Sequence, residues 1–175
     1  MEGKALAVYF LDNDVILKLS AYNLFWDCMK AWGIPDAQIR VLPTAEAVFS
    51  RNQAIQEQYG DLACQKARQI AQKSQKLSSP DSILNYTRLS AVEGIDAGEA
   101  LLVTVALADP EASILTGDKR FLKAFANSGL ADLLKSLTGH FVCIEQLMLV
   151  LIAQEADFAK IQRRVRQAPE CERSI

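Results

Sequence analysis

The chain has 175 residues, half of them hydrophobic and 23% charged, so it can bury enough apolar surface to fold as one compact domain. Its formal net charge of −2 excludes a general binder of nucleic-acid backbones, because such binding needs a surplus of Lys and Arg, although a local basic patch stays open. The cysteines include no pair at zinc-ligand spacing and indicate reduced thiols in a cytoplasmic protein: Cys28, Cys64, Cys143 and Cys171.

The first predicted element is a strand over residues 5–11, ALAVYFL, a continuous apolar run that ends at the triplet DND. Because this run is short and lacks a small-residue cleavage site, it is not expected to act as a signal peptide. A helix is predicted over 15–32, since Gly33 and Pro35 follow it.

A second strand is predicted over 39–42, IRVL, and Pro43 opens the next helix. Residues 44–78 have a helical pattern rich in glutamine with a break at Gly60, and about 50–78 are expected to form a helical insertion. The alternation of strands with helices predicts an α/β fold.

A helix at about 81–92 precedes the segment 97–108, AGEALLVTVALA, which is apolar almost all round and is therefore predicted to be a helix buried against a sheet. Residues 112–118, ASILTGD, repeat the pattern of an apolar run followed by an acid. The remaining predictions are helices at 119–126, 130–136 and 145–166, a strand at 140–144 and a flexible tail at 167–175.

No membrane segment is expected. The longest apolar stretch, 141–153, is interrupted by Glu145 and is shorter than the ~20 residues that cross a bilayer.

Four acids lie where strands end or helices begin. Asp12 follows the first strand, and Asp118 lies two residues after Thr116, the last residue of a later strand. Glu46 and Glu99 each lie in the first turn of a predicted helix. Because ligands bind at the carboxyl ends of parallel strands, we expect the four carboxylates to meet at one edge of the sheet.

Converging carboxylates repel one another and raise each other's pKa unless a cation lies among them. The chain has one histidine, His140, and no thiol pair at ligand spacing, so a hard cation with oxygen ligands is favoured. We expect Mg²⁺ or Mn²⁺.

Each acid also has a structural interpretation. Asp14 could cap the following helix, and Asp96 with Glu99 has the spacing of a capping box. Glu46 could favour the helix dipole, and Asp118 could serve in a turn. The joint placement of the acids at strand ends and helix starts favours a functional site over four separate structural roles.

Four segments taken in order, YFLDNDVIL, LPTAEAVF, GIDAGEALLVTVALA and ASILTGDKRF, resemble the motifs of PIN-domain nucleases over about residues 5–145. The resemblance implies a single domain over 1–166, built as a three-layer α/β/α sandwich with a mostly parallel sheet of four to five strands. It also implies a ribonuclease that uses one or two divalent metals, with RNA as the substrate. A toxin-type nuclease with an antitoxin-like protein partner, and a homodimer, both stay open.

Transferred by position, the resemblance assigns metal binding and catalysis to Asp12, Glu46, Glu99 and Asp118, with Asp14 and Thr116 in support. Glu99 stands where the family more often has Asp, which makes Asp96 a reserve ligand. The mechanism implied is phosphodiester hydrolysis by a metal-activated water. Cations beside the site are expected to contact phosphate: Lys119, Arg120 and Lys123.

Other chemistry finds less support, because the chain lacks a nucleophile elbow and a phosphate-binding Gly-rich loop, and His140 is expected to be structural. The opening segment also resembles haloacid-dehalogenase-like phosphatases, in which Asp12 would attack phosphate and Asp14 would act as acid or base. Against this alternative, Asp118 follows Thr116 too closely for that family's lysine segment, and Glu99 would have no role.

A PIN-like fold could instead act as a binding module without catalysis. One face of the predicted helix in 61–77 carries cations and an amide that could contact RNA or an acidic partner, and a second basic group lies near the end of the chain. Solvated faces are the favoured interpretation of both groups: Lys66, Gln69, Lys73 and Lys76, and Arg163, Arg164 and Arg166.

Overall fold

The computed structural model describes residues 7–80, 82–155 and 157–168. Five parallel strands form one sheet in the order β3-β2-β1-β4-β5. The strands are β1 (Val8–Leu11), β2 (Ile39–Val41), β3 (Gln75–Lys76), β4 (Ala112–Thr116) and β5 (Phe141–Cys143).

Helices cover the sheet as a three-layer α/β/α fold, which confirms the predicted fold class. Helix α1 packs on α5, α2 packs on α10, and α7 contacts β1 and β4. The helices are α1 (Asn13–Ala21), α2 (Phe25–Trp32), α3 (Ala45–Arg51), α4 (Gln53–Tyr59), α5 (Asp61–Lys73), α6 (Ile83–Ser90), α7 (Ala97–Ala106), α8 (Lys119–Ala126), α9 (Ala131–Ser136), α10 (Ile144–Gln154) and α11 (Phe158–Arg166).

The central strands end level with one another, and this register positions the acids. Leu11 of β1 pairs with Leu115 of β4, and both side chains are fully buried. The backbone N–H of Asp12 donates to the Leu115 carbonyl at 3.0 Å, so β1 continues its ladder for one more residue. Asp12 and Thr116 therefore leave the sheet side by side.

Several predicted elements differ from the observed ones. The helix predicted over 15–32 is two helices, because Asn23 adopts a left-handed backbone conformation with φ 57° that an α-helix cannot include. The helix predicted over 145–166 is also two, α10 and α11. Residues 5 and 6 of the first predicted strand, residue 81, and residue 156 of the helix predicted over 145–166 lie outside the described residues.

The predicted insertion at about 50–78 is integrated into the fold. It contains α4 and α5 and ends in β3, which pairs with β2 at the edge of the sheet. Of the predicted tail, Ala168 is buried, and 169–175 lie outside the described residues. Among the helices that the structure describes, none has the length and apolar character needed to span a bilayer.

Candidate active site at the carboxyl edge of the sheet

A cleft of about 400 Å³ lies at the carboxyl ends of β1 and β4. We call it the acidic cleft. Its wall carries five carboxylates, contributed by the segments after β1 and β4 and by the start of α7: Asp12, Asp14, Asp96, Glu99 and Asp118. Three of the four predicted metal ligands thus line one cleft, and Glu46 does not.

Asp12 is the N-cap residue of α1, and its carboxylate is held from β4. It precedes α1, yet its side chain makes no capping hydrogen bond. Instead, the Thr116 hydroxyl donates to Asp12 Oδ2 at 2.9 Å, and both residues are buried. Thr116 Oγ1 also accepts a hydrogen bond from the Asp118 N–H at 3.1 Å. The predicted supporting residue Thr116 therefore links two of the acids.

Glu99 and Asp96 form the capping box that their spacing predicts. Asp96 Oδ1 accepts from the Glu99 N–H at 2.8 Å, and Glu99 Oε2 accepts from the Asp96 N–H at 2.7 Å. These bonds satisfy backbone donors at the start of α7 and use one oxygen of each carboxylate. The structural interpretation of this pair is confirmed, and it leaves the second oxygen of Glu99 and of Asp96 for another role.

Asp118 is the N-cap of α8. Its Oδ1 accepts from the backbone N–H groups of Arg120 and Phe121 at 2.7 and 3.2 Å. Its Oδ2 accepts from the Arg120 guanidinium at 2.8 Å. Because the Arg120 side chain is 90% exposed, this second bond lies in solvent and can be exchanged for another cation.

The electrostatics of the cleft separate the acids into two kinds. Burial raises the pKa of Asp12 to about 7, with the charge of Asp14 adding to the effect against the Thr116 hydrogen bond. Burial also raises the pKa of Glu99 to about 7, against the lowering effect of the hydrogen bond from the Asp96 N–H, and the charges of Asp96, Asp12 and Asp118 add to the rise. Both groups therefore carry a proton for part of the time at neutral pH.

Asp118 behaves in the opposite way. Burial alone would raise its pKa, but the hydrogen bonds from the Arg120 side chain and from the Phe121 and Arg120 backbones lower the pKa of its carboxyl overall. The bond to Asp118 raises the pKa of Arg120 in turn, and the charges of Asp118, Glu99 and Asp14 add to that rise. Arg120 is thus a cation that these acids attract.

Asp14, the predicted support, has three neighbours that sequence reasoning missed. Lys18 Nζ lies 2.9 Å from Asp14 Oδ2, and the Tyr59 hydroxyl donates to Asp14 Oδ1 at 3.3 Å. A Cβ at Gly117 would lie 2.5 Å from Asp14 Oδ2, so a side chain at that position would collide with the carboxylate. The i,i+4 spacing of Asp14 and Lys18 could have identified the ion pair.

Glu46 lies apart from the other three predicted ligands. Its carboxylate accepts from Gln72 Nε2 at 2.6 Å and lies 3.5 Å from Arg68 Nε. The hydrogen bond from Gln72 lowers the pKa of Glu46, and Arg68 contributes. Thr44 and Val48, on either side of it along the chain, line the acidic cleft. Because residues two positions apart on a helix point about 200° apart, the Glu46 side chain faces away from the acidic cleft.

The remaining predicted residues divide between the cleft and its surroundings. Arg120 lines the acidic cleft, whereas Lys119 Nζ lies 3.0 Å from the Glu145 carboxylate. His140 directly precedes β5, and its Nδ1 lies 2.6 Å from the carbonyl of Ala112, the first residue of β4.

The donor set fits a hard divalent cation in its chemistry. All of the candidate ligands are oxygens, and added positive charge would stabilise the ionised forms of Asp12 and Glu99. In residues 7–80, 82–155 and 157–168, however, no three acids, histidines or cysteines are already placed around one ion position. The carboxylates of Asp96, Glu99 and Asp118 are occupied by capping bonds and, for Asp118, by the pair with Arg120.

Comparison of the chain with protein-family models, with curated proteins and with solved structures gives no match. The function is therefore inferred from the chemistry of the cleft.

Proposed function

We propose that the protein is a divalent-metal-dependent ribonuclease of the PIN type, acting on RNA in the cytoplasm. One observation carries the proposal: Asp12, Glu99 and Asp118 line a single cleft at the carboxyl edge of a parallel sheet, and the pKa values of Asp12 and Glu99 are raised to about 7. A cleft that makes its own carboxylates hard to ionise is suited to bind positive charge.

In this proposal Asp12, Glu99 and Asp118 hold Mg²⁺ or Mn²⁺, with Asp96 at the rim. A cation held by these carboxylates would supply Lewis acidity, which would activate a water and offset the charge that develops on the phosphate and the leaving oxygen. Glu99 and Asp118 are expected to keep their capping bonds, since each uses one oxygen for the helix and presents the other to the cleft. Asp118 Oδ2 becomes available when Arg120 moves away.

The residues around these acids have separate tasks. Thr116 orients Asp12 by hydrogen bonding to one of its oxygens, as outer hydrogen-bonding partners do at metal sites. Lys18 neutralises Asp14, which limits the repulsion that Asp14 exerts on Asp12. Arg120, once free of Asp118, can donate to a phosphate oxygen at the mouth of the cleft.

Protons are part of the mechanism. In the metal-free protein at neutral pH, Asp12 and Glu99 each hold a proton for part of the time, and a ligand oxygen must lose its proton to bind a cation. Metal binding should therefore release protons, and activity should rise as the pH increases through about 7.

The proposal is tested by cleavage of end-labelled single-stranded and structured RNA in Mg²⁺ or Mn²⁺. We expect products with metal, none in chelator, and loss of at least 100-fold in Asp12→Asn and Asp118→Asn, as for removal of a group on which the reaction depends. Glu46→Gln is the matched control and should keep activity, because its carboxylate bonds to Gln72 outside the acidic cleft. Hydrolysis of a small phosphomonoester without RNA cleavage would contradict the proposal and favour a phosphatase.

A further inference from the structure

A second cleft, of about 330 Å³, lies between α1, α2, α5 and α11. We call it the basic cleft. Its wall contains three cations, Lys66, Lys73 and Arg164, and one acid, Asp27. A surplus of two positive charges in one cleft of a protein with a net charge of −2 indicates a site for an anion.

Asn23 holds two of these cations in place. Its Oδ1 accepts from Lys66 Nζ at 2.8 Å, and its backbone carbonyl accepts from Arg164 Nη1 at 3.2 Å. The backbone of Asn23 is left-handed, with φ 57°, a conformation that Asn tolerates better than most residues. Asn23 is neutral, so it orients the charge of Lys66 without cancelling it.

The other two charges of the cleft differ in what they contact. Arg164 forms an ion pair with Asp27, which partly offsets its charge. Lys73 lies on the same face of α5 as Lys66, two turns further along, and makes no ion pair with any residue that the structure describes. Lys73 is therefore the cation most available to a ligand.

An aromatic side chain stands beside the cations. Trp26 is 41% exposed and lines the basic cleft. The ring of buried Phe25 packs edge-on against it, with a centroid distance of 4.8 Å, which limits the motion of the indole. A partly exposed, supported indole next to Lys66 suits a planar base stacked beside its phosphate.

Ser20 provides a further observation. It lines the basic cleft, is 3% exposed, and its hydroxyl finds no hydrogen-bond partner among the residues described. A buried hydroxyl without a partner is costly, and a ligand with a polar edge would satisfy it. A carboxylate peptide would use the cations, but it would leave the indole of Trp26 unused.

We propose that the basic cleft binds one nucleotide of a single RNA strand, with the phosphate at Lys66 and Lys73 and the base on Trp26. The choice of RNA rests on the proposed function. Helix α1 joins the two clefts, since Asp14 lines the acidic one and Ser20 the basic one. These residues are six positions apart, or about 9 Å along the helix, a separation that a strand of a few nucleotides covers. The basic cleft would then position substrate outside the reacting centre.

The test measures, by fluorescence anisotropy in chelator, the binding of a fluorescein-labelled single-stranded RNA of about twelve nucleotides. Without metal, the acidic cleft repels phosphate, so binding reports on the basic cleft. Lys73→Glu and Trp26→Ala should each weaken binding by about tenfold, and Lys73→Glu should also reduce the salt dependence. Lys135→Glu, the same charge change at an exposed site on α9, should bind like wild type.

Tryptophan fluorescence gives a second readout. The chain has two tryptophans, Trp26 and Trp32, and RNA should quench the emission of Trp26. Trp26→Phe should keep most of the binding and lose the quenching. Absence of RNA binding by the wild type, or equal binding by Lys73→Glu, Trp26→Ala and Lys135→Glu, would overturn the inference.

Two competitors of the labelled RNA distinguish an RNA strand from the other ligands that the basic cleft could take. If adenosine monophosphate binds as tightly as the RNA strand, the strand proposal is overturned in favour of a free nucleotide. If an oligoglutamate peptide binds as tightly as the RNA strand, and Trp26→Ala binds that peptide as wild type does, the proposal is overturned in favour of an acidic partner.

Cleavage is measured in parallel. If wild type cleaves RNA with metal but the basic-cleft variants bind normally, this inference alone fails; if they lose binding but no RNA is cleaved, the ribonuclease proposal alone fails.

Discussion

The Thr116 hydroxyl donates a 2.9 Å hydrogen bond to the carboxylate of Asp12 across β1 and β4, although 104 positions separate the two residues in the chain. Both side chains are buried, and the same hydroxyl accepts from the Asp118 N–H. One side chain therefore fixes the relative positions of two acids from different segments. This relationship makes Thr116 the position at which site geometry can be changed without removing a carboxylate.

Thr116→Val should weaken Mn²⁺ binding by about 10-fold or more, as is typical when the hydrogen-bonding partner of a metal ligand is removed. The valine keeps the shape of threonine but cannot donate to Asp12, so the pKa of Asp12 should rise further and its ionised form should become rarer. Thr116→Ser keeps the hydroxyl and should bind Mn²⁺ nearly as wild type does. The measurement is isothermal titration with Mn²⁺ at neutral pH; equal affinity in all three proteins would remove Thr116 from the site.

Through Asp12 and Glu99, stability in chelator should fall as the pH rises from about 4 to about 7. Asp12 and Glu99 have a higher pKa in the folded protein than in the unfolded chain, so folding takes up protons. The penalty for burying their charge is absent below the unfolded pKa, 3.8 for Asp12, and is complete above about 7.

Asp12→Asn removes one of these titrations. At pH 8 in chelator it should be more stable than wild type by on the order of 4 kcal/mol, at about 1.4 kcal/mol for each unit between the ordinary pKa of 3.8 and the raised pKa of about 7, and the two proteins should converge near pH 4. Urea unfolding at several pH values measures the difference. A constant gap between wild type and Asp12→Asn across this range would show that Asp12 does not titrate as its burial implies.

The two roles of Glu99 can be separated by two substitutions. Glu99→Gln keeps a side chain that can bond to the Asp96 N–H, so the capping box should survive while Mn²⁺ binding weakens at least about tenfold. Glu99→Ala loses both roles and should be less stable than Glu99→Gln by about 1 kcal/mol. Thermal unfolding with and without Mn²⁺ distinguishes the two roles. If Mn²⁺ stabilises wild type and Glu99→Gln equally, Glu99 acts in the capping box and does not bind the metal.

Arg120→Ala should bind Mn²⁺ more tightly and RNA more weakly. The guanidinium competes with metal for Asp118 Oδ2, and an exposed ion pair is worth ~0.2–1 kcal/mol, so metal affinity should rise about 1.5- to 5-fold. The loss of a phosphate contact should raise KM for RNA. Lys119→Ala, in which the lost charge pairs with Glu145, is the control. A fall in metal affinity in Arg120→Ala would contradict the competition.

Much of the fold could be predicted from local patterns. The apolar runs before Asp12 and before Gly117 predict strands, because buried parallel strands have few polar residues, and both runs contain strands in the structure. Asp96 and Glu99 form a capping box because the bonds involved are local and depend on spacing alone. Strand β3 had no such pattern, since two exposed polar residues, Gln75 and Lys76, pair with β2 only because the neighbouring helices bring them there.

The candidate site was predictable in part for a related reason. Placement at strand ends identified Asp12 and Asp118, because register in a parallel sheet brings such ends together. The sequence alone does not place Glu46 relative to the acidic cleft, because position in a first helical turn does not say which way a side chain faces. Its neighbours Thr44 and Val48 face the cleft, and their spacing directs Glu46 to Arg68 on α5. The Arg120–Asp118 pair also depends on how the side chain folds back over its own helix.

Anomalous diffraction from crystals of the protein soaked in Mn²⁺ tests whether the acids at the ends of β1 and β4 hold a divalent cation. We expect a manganese peak in the acidic cleft, bound by carboxylate oxygens of Asp12, Glu99 and Asp118, with the Arg120 side chain moved off Asp118, and no such peak in crystals of Asp12→Asn. A Mn²⁺ peak beside Glu46 with the acidic cleft empty, or Arg120 still bonded to Asp118 at saturating Mn²⁺ with no metal between the acids, would contradict this expectation.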